Sequence, residues 1–60
     1  MTLYVTYKNG YVRTYDNIKY IRIGSDFITL ELKTANCEGK RGLIVDKTPV
    51  SYVEVQDDES

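Results

Sequence analysis

Histidine and tryptophan are absent from this 60-residue chain, and cysteine, proline, methionine and phenylalanine occur once each. Without histidine, every His-dependent triad and every His general base is excluded. A zinc site is excluded with it, because one thiol falls far short of a tetrahedral ligand set. The single Cys37 cannot form a disulfide within the chain. Lys40 and Arg41 lie near it in sequence, but with no histidine in the chain it lacks a partner base to make it a nucleophile, so it reads as an inert thiol. No apolar run is long enough to cross a membrane as a helix. The first residues, Met1-Thr2-Leu3-Tyr4-Val5-Thr6-Tyr7, alternate and carry no basic segment, unlike a signal peptide. A cytoplasmic location is the expectation. No stretch of useful length repeats with helical spacing.

Net charge is small too. Eight bases stand against nine acids, a net charge of −1. The last four residues, Asp57-Asp58-Glu59-Ser60, hold three of those acids, which marks residues 57–60 as a disordered acidic tail after one β domain of residues 1–56. The body keeps only a small positive excess, too weak to argue for DNA on charge alone. A domain of this length buries only about 60% of the surface that its unfolded chain exposes. Small domains recover stability with disulfides, metals or a second subunit. The first two are excluded here, so self-association, as a dimer, is expected.

What the chain does have is alternation with a period of two, the signature of strands. Leu3, Val5 and Tyr7 share one face of a first strand, and Tyr4 and Thr6 the other. Asn9-Gly10 is a strong hairpin signal, suited to a two-residue type I′ turn. That turn pairs Lys8 with Tyr11, Tyr7 with Val12, Thr6 with Arg13, Val5 with Thr14 and Tyr4 with Tyr15. Asp16-Asn17 is a second turn. Ile18–Ile23 and Phe27–Lys33 follow as strands, and a turn at Ser25-Asp26 sets Ile23 against Ile28 and Ile21 against Leu30. Residues 34–42 form the one long loop. Leu43–Asp46 is a short strand, Lys47-Thr48-Pro49 a corner, and Val50–Val55 the last strand. The expected core is Leu3, Val5, Val12, Ile21, Ile23, Ile28, Leu30, Leu32, Val53 and Val55.

A repeat appears at an offset of about 32 residues. Gly10-Tyr11-Val12 lies over Gly42-Leu43-Ile44, and Asn17 to Ile23 over Pro49 to Val55, with Tyr20 matching Tyr52. The chain then divides into two β-β-β units. Six short strands in so few residues predict an all-β fold, strongly bent, closing as a small barrel or folding over as a sandwich. The Thr48-Pro49 corner is similar to the short turn before the final strand of SH3-like barrels. More broadly, Asn9-Gly10-x-Val12-x-x-Tyr15-x-Asn17-Ile18-x-x-Ile21, then Phe27-Ile28-Thr29-Leu30, then Val50-x-x-Val53-x-Val55, resembles small uncharacterised β-proteins encoded in phages and prophages of Gram-positive bacteria. That resemblance implies a short accessory gene product, a binder or inhibitor rather than an enzyme.

The acids add no chemistry. Asp16, Asp26 and Asp46 sit at strand ends, where Asp caps turns. Gly39-Lys40-Arg41-Gly42 lacks the spacing and the following helix of a phosphate loop. No cofactor is implied. Six of the seven aromatics are Tyr, whose apolar ring and polar tip suit half-buried faces and interfaces. With Leu3 and Val5 inward, one outer face should display Tyr4, Lys8, Tyr11, Arg13, Tyr15, Tyr20 and Arg22. Together with Lys40 and Arg41 of the loop, these are the candidate partner-binding residues. Tyr and Arg anchor protein interfaces. The same mixture could stack on bases and meet phosphates, so a single-stranded nucleic acid or nucleotide is the alternative ligand.

Overall fold

The computed structural model describes residues 1–57. Period-two alternation becomes six strands, and no helix forms among the described residues: β1 (Thr2–Tyr7), β2 (Val12–Tyr15), β3 (Ile18–Ile23), β4 (Phe27–Leu32), β5 (Gly42–Asp46) and β6 (Val50–Gln56). They make two three-stranded antiparallel sheets, ordered β2-β1-β6 and β3-β4-β5. Among the described residues neither sheet closes on itself. Advancing every strand by three places, with β6 returning to β3, converts one sheet order into the other. Each half of the chain thus lends its third strand to the sheet of the other half. Residues 58–60 of the acidic tail lie outside the described residues.

One apolar cluster joins the sheets. Leu3 and Val5 come from the first sheet, and Ile18, Ile28, Leu30, Leu32 and Val45 from the second. Full burial of such a side chain contributes roughly 1.5–3 kcal/mol. In β4 the burial alternates strictly, with Ile28, Leu30 and Leu32 inward and Phe27, Thr29 and Glu31 outward. The β3–β4 register is the expected one, Ile23 opposite Ile28 and Ile21 opposite Leu30. Five of the expected core residues, Leu3, Val5, Ile28, Leu30 and Leu32, are buried. The others are not. Ile21 and Val53 pack only partly against the cluster, and Val12, Ile23 and Val55 are 51%, 51% and 47% exposed. Ile23 and Val55 fall at strand ends, where the facing sheet no longer covers them. Ile18 and Val45 take the vacated places.

Val12 is exposed for a different reason. The first hairpin pairs Leu3 with Tyr15, Tyr4 with Thr14, Val5 with Arg13 and Thr6 with Val12, one residue away from the expected register. The Gly10 N–H donates to the Tyr7 carbonyl at 2.9 Å, and the Tyr7 N–H to the Tyr11 carbonyl at 2.8 Å. The loop therefore has three residues, Lys8-Asn9-Gly10, not two. Gly10 takes the left-handed conformation (φ 91°) while Asn9 does not, the geometry of a type I turn followed by a glycine bulge. The Asn9 side-chain oxygen accepts from the Tyr11 N–H at 3.0 Å, which holds the turn. A slip of one residue moves every β2 side chain to the opposite face.

The second turn rests on Asn17, which adopts a left-handed backbone (φ 59°). Its side-chain amide donates to the Thr34 hydroxyl at 2.8 Å, and its carbonyl accepts from the Lys33 N–H at 2.8 Å. The long loop is ordered around Asn36. The Asn36 Oδ1 accepts from the Glu38 and Lys40 N–H groups, both at 2.9 Å. At the far end, the Thr48 N–H donates to the Asp46 carboxylate at 3.0 Å and the Lys8 N–H to the Pro49 carbonyl at 2.9 Å.

Candidate functional site

The slipped register decides where the Tyr and Arg side chains go. Tyr11, Arg13 and Tyr15 share the side of β2 that faces with Leu3, Val5 and Tyr7, not the outer face with Tyr4. They form a row along the rim of the core. The Tyr7 and Tyr11 rings lie 6.0 Å apart at 33°. The Arg13 guanidinium sits 5.1 Å from the centre of the Tyr15 ring, within cation–π range. Tyr15 itself packs against the core. Burial raises its phenol pKa; the Arg13 charge opposes this, and Tyr7, which also shares a hydrogen bond with it, adds to the rise.

The single Tyr-rich face expected from the sequence is therefore divided in three. Tyr4 stays on the outer face of the first sheet, its hydroxyl hydrogen-bonded to the Gln56 side chain at 3.0 Å. Tyr20 and Arg22 lie on the outer face of the second sheet, beside Phe27 and Ile44, since Arg22 pairs with Thr29 and Thr29 with Ile44. There Arg22 borders a hollow of about 270 Å³ with Phe27 and the Ser25-Asp26 turn. Lys8 is exposed in the first turn. Lys40 and Arg41 are exposed in the loop, where the Arg41 guanidinium reaches the Lys33 carbonyl at 3.4 Å.

The structure brings two of the singled-out elements together elsewhere. A cleft of about 410 Å³ is lined by Arg13, Thr14 and Tyr15 of β2, by residues 36–38 of the loop, and by residues 43–45 of β5. β2 ends the first sheet and β5 ends the second. Among the described residues no strand pairs with the outer side of either. An edge strand presents a row of backbone donors and acceptors ready to pair with another chain. The cleft thus has two backbone rails, an apolar wall from Leu43, Val45 and the Tyr15 ring, one cation at Arg13, and a rim of Cys37 and Glu38. Asn36 fixes that rim by closing the loop on itself. Cys37 is exposed. Among the described residues, no three acid or thiol side chains gather as a metal site, and no helix is long and apolar enough to cross a membrane.

Leu43, Val45 and Asn36 were not foreseen as site residues. Their role depends on β5 lying near β2, a tertiary relation with no local signal. No known family, curated protein or solved structure matches this chain.

Proposed function

We propose that this chain is a non-enzymatic binding module that takes an extended protein segment into the cleft between β2 and β5. The observation that carries the reading is the placement of two unpaired strand edges on one cleft. A peptide laid between them would gain main-chain hydrogen bonds as a seventh strand, the usual basis of affinity in strand addition. Leu43, Val45 and Tyr15 would accept alternate apolar side chains, and Arg13 would select a carboxylate. Such an insertion would join the sheets along this seam, giving the closed, SH3-like character that the Thr48-Pro49 corner suggested. The two β-β-β units would then be a duplicated half-barrel, consistent with strand orders that interchange between the sheets. A phage or prophage accessory protein acting in the cytoplasm suits a small module of this kind.

The division of the Tyr face weighs against the single-stranded nucleic-acid alternative, because it leaves Arg13 as the one cation in the row of Tyr7, Tyr11 and Tyr15, whereas such platforms set rings in a positively charged groove. The test is to select extended peptides from a random library and map them by amide chemical shifts. Shifts centred on residues 13–15, 36–38 and 43–45 are expected, with Arg13→Glu weakening the selected peptide by about tenfold or more. Shifts induced by a short oligonucleotide and abolished by salt, with no peptide selected, would replace this reading by the alternative.

A further inference from the structure

The four strands at sheet edges differ in how they are guarded. Natural edge strands are kept from pairing by shortness, by Lys or other charges, by bulges or by a covering loop. β2 has four residues and carries Arg13. β3 carries Lys19 and Arg22 and has a register irregularity between Ile18 and Tyr20. β5 borders the cleft and the loop that rims it. β6 is the least guarded, with one charge, Glu54, and one bulge near its start. With seven residues it is the longest strand, and it contains no Lys, Arg or Pro. The bulge falls at Ser51, skipped between the Tyr7–Val50 and Thr6–Tyr52 pairs, and residues 52–56 pair regularly with β1. Tyr52 is 62% exposed, and Val55 is also exposed.

From this edge we infer that β6 is a self-association strand, pairing antiparallel with β6 of a second copy about a two-fold axis. The sequence of the strand is self-complementary in one register. Centred on Val53, the pairing sets Tyr52 opposite Glu54 of the partner subunit, where phenol can donate to carboxylate. Centred on Glu54, it would set two carboxylates face to face, which directly opposed like charges disfavour. The Val53 register keeps Val53 and Val55 on the core side and Tyr52 and Glu54 outside in both copies, because a two-fold axis perpendicular to the sheet preserves the faces. The product is one continuous six-stranded sheet with an isologous interface. β2 lies at the other end of that sheet, so both clefts stay open. The inference stands independently of the cleft's ligand.

Amide hydrogen exchange and sedimentation on the full chain, from micromolar to millimolar concentration, test it together. A dimer is expected, with β6 amides that point away from β1 protected at high concentration and released on dilution, while edge amides of β3 exchange alike throughout. Tyr52→Glu should weaken the dimer by about tenfold or more by opposing Glu54 of the partner subunit, and adding Glu54→Lys should restore it. Both positions face outward, so the fold is retained, and amide shifts confirm that. A monomer at every concentration would overturn the inference, as would a dimer protected at another edge or a dimer indifferent to Tyr52→Glu. A monomeric Tyr52→Glu variant that still takes peptide in the cleft leaves the binding function intact, which separates the two failures.

Discussion

At the scale of single residues, depth in the core matters more than hydrophobicity. Leu30 is fully buried, so Leu30→Ala should cost about 2–5 kcal/mol. A core this small rarely supplies more than about 3–5 kcal/mol in total, so the variant should be largely unfolded by circular dichroism. Val12→Ala removes an exposed side chain and should shift a urea midpoint hardly at all, within roughly 0.5 kcal/mol. Asn17 separates backbone from side-chain effects. Asn17→Ala places a Cβ-bearing residue without a compensating side chain in the left-handed region and should cost about 1–2 kcal/mol. Asn17→Gly keeps that conformation and loses only the bond to Thr34, so its midpoint should fall less. Tyr15 gives a pH dependence. Its folded pKa is raised, first by burial, so its neutral form stabilises the fold. That contribution is fully present below the unfolded phenol value of about 10 and is lost as pH rises through the folded value. Denaturation midpoints measured from neutral to strongly alkaline pH should therefore fall steeply in the native chain and less steeply in Tyr15→Phe.

At the scale of elements, the strands and turns were legible because their signals are local. Alternation marks a strand, and Asn9-Gly10, Asp16-Asn17 and Ser25-Asp26 mark where it must reverse. Register was less legible. Asn9-Gly10 serves either a two-residue turn with both residues left-handed or a three-residue turn with only the glycine so, and the two differ by one residue in pairing. Everything inferred about the faces of β2 inherited that choice, including the inward place given to Val12 and the outward ones given to Tyr11, Arg13 and Tyr15. Inter-strand proton contacts should decide it directly: Leu3 should meet Tyr15, and Val5 should meet Arg13. Gly10→Ala should weaken this hairpin by about 1 kcal/mol, because a Cβ disfavours its positive φ. Alternation also tells which face a side chain takes but not how far the opposite sheet reaches, hence the exposure of Ile23 and Val55. The cleft was illegible for a stronger reason: Arg13 and Leu43 come together only through the packing of two sheets.

At the scale of the whole molecule, the exchange of third strands governs how the halves depend on each other. Neither half can complete a three-stranded sheet by itself, so cutting the chain within residues 34–41 should give two fragments that fold only when mixed, as judged by recovery of the β-sheet signal. The same exchange sets an order of assembly. Sheet β3-β4-β5 follows the chain as a meander, with a tight turn between β3 and β4 and the loop of residues 33–41 between β4 and β5. Sheet β2-β1-β6 needs strands from opposite ends of the described chain to meet. Closing that span costs roughly 2 kcal/mol more in chain entropy than closing the β3–β4 turn, and such distant contacts slow folding. The meander should therefore be organised in the rate-limiting transition state, with β6 docking late. In stopped-flow experiments Ile28→Val should mainly slow refolding, and Val53→Ala should mainly hasten unfolding. The last strand to arrive is then the first to leave, and brief departures of β6 uncover the flank of β1 long before the rest of the molecule opens.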